Sequence, residues 1–277
     1  MQNPKVAIDT NVIVAASIIA NVREQNIPIK HQYYDQSRRL FSVFRKRQQD
    51  KLGIIVPRVK SEAFLVLSRA VKDVFIGNNK MNISLRRIFF EKAVAIINSC
   101  DYKMRALLAS VIHVRLPEHE VQRNLKKVDS MAKYIKHTLY PQYNQKYKRL
   151  QQTKDRAKPT DTAPNWKDEQ KDEAFYAHYS QVELEFKQIE RFMRKYPNAP
   201  DQRVLAEVIT AKDNFCKQQN YSFLLASCDS GFFSPYVWRG AESDLVTKEI
   251  QTRFNIVCHY PDRIYTLIGG HHTENPN

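Results

Sequence analysis

Four short apolar runs, two early in the chain and two late, set the terms on which this sequence can fold. They are Lys5-Val6-Ala7-Ile8, Gly53-Ile54-Ile55-Val56, Ser222-Phe223-Leu224-Leu225-Ala226-Ser227 and Phe254-Asn255-Ile256-Val257-Cys258. Each is too short for a helix and reads as a strand buried on both faces. Segments of helical character lie between them: Asn11 to Ala20, a basic stretch around Tyr34 to Gln49, and about Arg58 to Val74. Two more open after Pro200 and at Ser243. Apolar strands separated by helices imply a parallel sheet covered on both sides, so the expected class is α/β.

From about Lys72 to Ala199 there is no comparable strand signal. Leu85 to Asn98 and Tyr102 to Arg115 read as two helices, and a long helix from Pro117 is expected to bend or stop near Pro141. Residues 153–165, polar and carrying Pro159 and Pro164, read as a flexible linker, and Trp166 to Tyr196 as a further helix. The expectation is a discontinuous α/β domain, residues 1–71 plus 200–268. An all-helical insertion would fill 72–199, and 269–277 would be a tail. A chain of 277 residues is long enough for one large domain or one domain with such an insertion.

Charge narrows the partners. There are 44 Lys+Arg against 29 Asp+Glu, a formal charge of +15, which favours nucleic acid or an anionic membrane surface. The longest mainly apolar stretch, Val12 to Val22, is too short to span a bilayer and holds Ser17 and Asn21, so no membrane partner is expected. A strand-like segment occupies the place of a signal peptide. Cys100, Cys216, Cys228 and Cys258 are scattered without a Cys-x-x-Cys pair. A reducing, cytoplasmic setting is therefore expected. The tail pair His271-His272 is given no role.

Four distant acids share a structural context. Asp9 directly follows the first strand, and Asp229 follows the run ending at Ser227 by one residue. In an open parallel sheet, ligands bind at the carboxyl ends of strands, where both would project. Either acid alone reads more readily as a turn or helix-cap residue. In the helix after Pro57, Val59, Ala63, Val66, Leu67, Ala70 and Val74 form an apolar stripe, and Glu62 falls at its margin. Asp201 lies three residues before Val204 in the stripe of the helix after Pro200, where it has either a capping job or a cation to hold. Glu207 and Asp213 fall outside that stripe and read as surface acids. Grouped carboxylates need a cation to neutralise them, and oxygen-only ligation suits Mg²⁺ or Mn²⁺.

These pieces resemble the signature of the PIN-domain ribonucleases. The matching residues are Ile8-Asp9-Thr10-Asn11-Val12, Val56-Pro57 leading to Glu62, Asp201-Gln202-Arg203-Val204-Leu205-Ala206 and Leu225-Ala226-Ser227-Cys228-Asp229. The resemblance implies a Rossmann-like α/β/α fold. It also implies Mg²⁺- or Mn²⁺-dependent hydrolysis of RNA that leaves a 5′-phosphate. Asp9, Glu62, Asp201 and Asp229 would take the metal positions, with Thr10 or Asn11 supporting the first and Ser227 filling the Ser/Thr position. It covers about half the chain. The sequence departs from small toxin-type members in the long interval between the second and third acids. A helical insertion there is similar in architecture to protein-only RNase P enzymes, which trim tRNA 5′ ends.

Two basic clusters are candidates for holding RNA. One is Arg38, Arg39, Arg45, Lys46 and Arg47. The other includes Lys126, Lys127, Lys133, Lys136, Lys146, Lys148 and Arg149, interleaved with Tyr134, Tyr140, Tyr143 and Tyr147. Cations neutralise phosphates while tyrosines stack on unpaired bases, although a solvated helix face accounts for such a segment equally well. Clusters on either side of an acidic centre would suit a long RNA. Trp238-Arg239 is a further candidate contact, with a packed Trp the blander reading. The leading expectation is a metal-dependent endoribonuclease. Its rivals are a non-catalytic RNA-binding scaffold, a toxin-type nuclease with an antitoxin-like protein partner, a tRNA 5′-end processing nuclease and a DNA-directed defence nuclease. A homo-oligomer is compatible with any of them.

Overall fold

Three of the four apolar runs form strands where the sequence places them: β1 (Lys5–Ile8), β2 (Gly53–Ile55) and β4 (Phe223–Ala226), as seen in a computed structural model. It describes residues 4–24, 33–71, 83–142, 145, 148–149, 152, 197–216, 222–228, 232 and 245–269. Every residue of β1, β2 and β4 is buried, which is why each reads as a continuous apolar run. The fourth run is divided. Phe254 closes a helix, Asn255 takes the left-handed conformation (φ 53°) that ends it, and β5 is Val257–His259.

A fifth strand, β3 (Ile112–His113), corrects the sequence reading of a helix from Tyr102 to Arg115. It pairs with β2 through Ile54 to Ile112 and Ile55 to His113. Gly53 makes room beside it, because a Cβ at that position would lie 2.6 Å from Val111 Cγ1. All pairings are parallel and the strand order is β3-β2-β1-β4-β5. Successive strands run outward from β1 in both directions, so the topological switch point lies between β1 and β4.

Eight helices flank the sheet among the described residues: α1 (Thr10–Glu24), α2 (Tyr33–Lys46), α3 (Pro57–Val71), α4 (Ile83–Leu108), α5 (Glu118–Tyr134), α6 (Ala199–Cys216), α7 (Leu245–Phe254) and α8 (Pro261–Leu267). Their contacts centre on two sets, joined where α3 touches α6. In the first, α1 packs on α2, α3 and α4, and α2 on α8; in the second, α5 packs on α6. Lys212 of α6 donates to the Phe254 carbonyl at the end of α7 (2.6 Å), tying α7 to the second group.

The described part of the expected insertion shares this core. Ile96, Cys100, Met104 and Leu107 of α4 and Val121, Val128 and Met131 of α5 are buried in one hydrophobic cluster with β1 and β4. Beyond α5 the helix continues through a π turn, Ile135–Leu139, and residues 140–142 are still helical, so the helix does not stop at Pro141. The expected linker at 153–165 and the helix from Trp166 lie outside the described residues, as does the 270–277 part of the tail.

Candidate active site at the carboxyl edge

Chain direction fixes which groups gather at one edge of the sheet. In a parallel sheet every strand ends at the same edge, so helices that follow strands begin there. The first residues of α1, α3 and α8 come two positions after the ends of β1, β2 and β5. Thr10, Pro57 and Pro261 therefore stand together at the carboxyl edge. The helix N-termini bring unsatisfied backbone N–H groups and partial positive charge, which acids satisfy.

At the switch point itself, Asp9 is buried (5% exposed) and its two carboxylate oxygens are separately engaged. The Thr10 backbone N–H donates to Oδ1 at 2.7 Å, and the Ser227 hydroxyl donates to Oδ2 at 2.6 Å. Ser227 is fully buried and comes from the far side of the switch point, just past β4. The backbone locks the two together: Asp9 N donates to the Ala226 carbonyl (2.9 Å), and Ser227 N to the His259 carbonyl (3.2 Å). Thr10 Oγ1, also buried, has no hydrogen-bond partner among the described residues. Asp229, two residues past Ser227, lies outside the described residues, so its expected place beside Asp9 is not described.

The other two acids have local work. Glu62, in the second turn of α3, forms an ion pair with Arg58 of the same helix and is partly exposed. Asp201 is a capping residue. Its Oδ2 accepts from Asn198 N and its own N–H donates to Asn198 Oδ1, both at 3.1 Å, a reciprocal box at the start of α6. That is the capping alternative that its position after Pro200 left open. Among the described residues, no three His, Cys, Asp or Glu side chains are grouped so as to hold a metal ion.

Glu207 corrects the sequence reading of a surface acid. It is 2% exposed, its Oε2 accepts from the Arg58 backbone N–H at 2.7 Å, and its Oε1 from Arg203 Nε at 3.0 Å. It therefore caps α3 from a neighbouring helix. Arg203 reaches on to Glu118 at the head of α5 with a two-pronged contact, 2.9 and 2.6 Å. This contact, helped by Gln122, pulls the Glu118 carboxyl down to about 2. The Arg203 guanidinium is correspondingly raised. One chain of charges thus links the starts of α5, α6 and α3 and fixes their mutual placement. The periodic stripe missed it because Val204 to Ala211 of α6 are all buried, leaving no wet face there.

No protein-family model, no curated protein and no solved structure matches this chain.

The basic clusters divide. Arg38, Arg39, Arg45 and Lys46 are exposed on α2. Arg47 is not available in the same way, since Nε bonds Asp50 Oδ2 (2.7 Å) and Nη1 the Ile268 carbonyl (2.6 Å). Asp50 and Lys51 in turn hold the ammonium of Lys5, at the start of β1, through their carbonyls (3.3 and 2.9 Å). Burial, and secondarily the charge of Lys51, lowers the pKa of Lys5. The Arg45–Arg47 end of the cluster therefore lies at the amino edge of the sheet, opposite Asp9. That end does not flank the acids as the sequence suggested. On α5, Lys126 and Lys127 are exposed, as is Lys133, which pairs with Asp129 (2.7 Å). Lys136, Lys148 and Arg149 are also exposed. Tyr134 lies under the Arg253 guanidinium, 4.8 Å from the ring centre, and Tyr140 is buried in the core. Lys146, Tyr143, Tyr147, Trp238 and Arg239 lie outside the described residues.

Proposed function

We propose that this chain is a divalent-metal-dependent endoribonuclease of the PIN type, with its centre at Asp9. The observation that carries the reading is the buried Asp9–Ser227 pair at the switch point of a parallel sheet. A carboxylate here is drawn from β1 and braced by a hydroxyl from β4, at the place where open α/β sheets bind ligands. The chain's charge of +15 supports a polyanionic substrate.

The donors at this spot suit a hard cation. Asp9 offers carboxylate oxygens with further lone pairs, and Thr10 Oγ1 is an orphaned buried oxygen beside it. Asp229 would bring a second carboxylate by its position after β4. Glu62 would join only by leaving Arg58, and Asp201 only by leaving Asn198. A bound Mg²⁺ or Mn²⁺ would supply Lewis acidity toward water and phosphate oxygens. Ser227 and the Thr10 N–H orient the Asp9 carboxylate, and the helix N-termini around it favour an incoming phosphate. Cleavage would leave a 5′-phosphate.

Purified protein is expected to cut single-stranded or structured RNA with Mg²⁺ or Mn²⁺. Asp9→Asn should lose more than about a hundredfold in rate, beyond what loss of a supporting partner costs. Equal cleavage by Asp9→Asn refutes the mechanism. One observation favours a second reading, a non-catalytic RNA-binding scaffold: Glu62 and Asp201 are both occupied structurally. Calorimetric titration with Mn²⁺ separates the two, since the scaffold has no use for the ion.

A further inference from the structure

We propose that the cleft at the carboxyl ends of β2 and β3 seats one unpaired nucleotide of single-stranded RNA, its base on an apolar floor and its phosphate between Lys60 and Arg115. This deepens the reading of the carboxyl edge as a hydrolytic site and rests on it for the choice of RNA.

The cleft holds about 770 Å³, within the range of small-ligand sites. Ile55, Val56, Pro57 and Leu116 form apolar walls, and Lys60, His113 and Arg115 are exposed at its rim. Among the described residues, none that lines it is acidic. Some cations elsewhere have carboxylate partners, as Arg203, Arg105 and Arg253 do. The side chains of Lys60 and Arg115 have neither an ion pair nor a hydrogen bond among the described residues. Two unpaired cations beside apolar surface, with no acid between them, match an anion carrying a flat apolar group. A nucleotide is such a group, and an unpaired one exposes its base whereas a duplex hides it.

Placement supports the assignment. The parallel register sets Ala7 beside Ile54, so Asp9 lies level with Val56 on the adjacent strand. Adjacent strands are roughly 5 Å apart, so the Val56 wall of the cleft is about one strand spacing from Asp9. Lys60 and Ser61 are in the first turns of α3, whose N-terminus Glu207 already caps, so the cations and not the helix dipole supply the attraction.

Full-length protein in EDTA, which prevents cleavage, would be titrated into labelled oligouridylate and into an RNA duplex of equal length, with fluorescence anisotropy as readout. The single strand should bind and the duplex bind at least tenfold more weakly. The double variant Lys60→Gln/Arg115→Gln should bind the single strand about tenfold more weakly at about 0.1 M salt. Its log-affinity against log-salt slope should fall by about 0.7, the value for one single-strand phosphate. Arg45→Gln/Lys46→Gln removes the same charge from the opposite edge and should change affinity less than twofold. Equal loss in the two double variants overturns the proposal, as does equal binding of the duplex or an unchanged slope. Absence of metal-dependent cleavage alongside the expected binding pattern would refute the nuclease and leave the cleft assignment standing.

Discussion

Replacing Ser227 by alanine removes one hydroxyl from the pair on which the proposed function turns. Packing barely changes, because one oxygen atom is deleted. The bond it makes is short, 2.6 Å, to an ionisable acceptor that is 5% exposed, from a donor that is 0% exposed. A hydrogen bond to a charged group contributes about 1.5–3 kcal/mol, and water cannot readily replace this one. Asp9 keeps the Thr10 N–H, which places the expected cost near the middle, about 2 kcal/mol. At the size-dependent conversion for large domains, that lowers Tm by about 4 °C. Urea denaturation followed by circular dichroism measures it. The charge is isolated by repeating Ser227→Ala in an Asp9→Asn background, where the acceptor is neutral and the cost should fall to about 1 kcal/mol. A cost within about 0.5 kcal/mol of zero, or an equal cost in both backgrounds, would show that the hydroxyl does not brace a carboxylate.

Glu207→Ala strips the Arg58 N–H and Arg203 of a buried acceptor and should cost about 3 kcal/mol, with Glu207→Gln losing roughly half as much because one oxygen remains. An unchanged denaturation midpoint in Glu207→Ala would contradict the capping role. His259 has its pKa lowered from 6.5 by burial and then by Arg263. The unfolded chain therefore takes up the proton first as pH falls, and its stability contribution, intact above 6.5, is lost as pH drops toward the folded value. His259→Phe should flatten the decline in Tm below that pH while keeping the backbone bond to Ser227; superimposable pH profiles would refute it.

How much of the fold could be read beforehand follows from burial. β1, β2 and β4 sit inside the sheet, so their sequences are apolar without interruption and their limits are legible to about a residue. β3 is an edge strand of two residues, half-exposed, with His113 and Arg115 breaking its apolar character. Nothing in such a segment distinguishes it from the end of α4. The helix α8 did leave a signal that went unread, Pro261 at its first position and Ile264 and Ile268 four apart on a buried face. The sequence marked the stretches of α4 and α5 as helical but not what they pack against. Those residues looked like the inside of a separate unit, whereas they pack into the core shared with the sheet.

The same distinction separates the acids. At the carboxyl edge several helices begin, and every start needs acceptors for its free N–H groups, so carboxylates accumulate there whether or not a metal does. Asp201 answers that need within its own helix, Glu207 answers it for α3, and Glu62 balances Arg58 one turn away. Sequence position alone ranked Asp201 above Glu207, because capping between helices leaves no periodic trace. Asp9 is different in kind. Its Oδ2 takes a hydroxyl from a residue 218 positions away, across the switch point, which no local capping pattern provides. Of the three described acids in the expected set, Asp9 is the one bridged across the switch point, and Asp9→Asn tests the proposal more sharply than a change at Glu62 or Asp201.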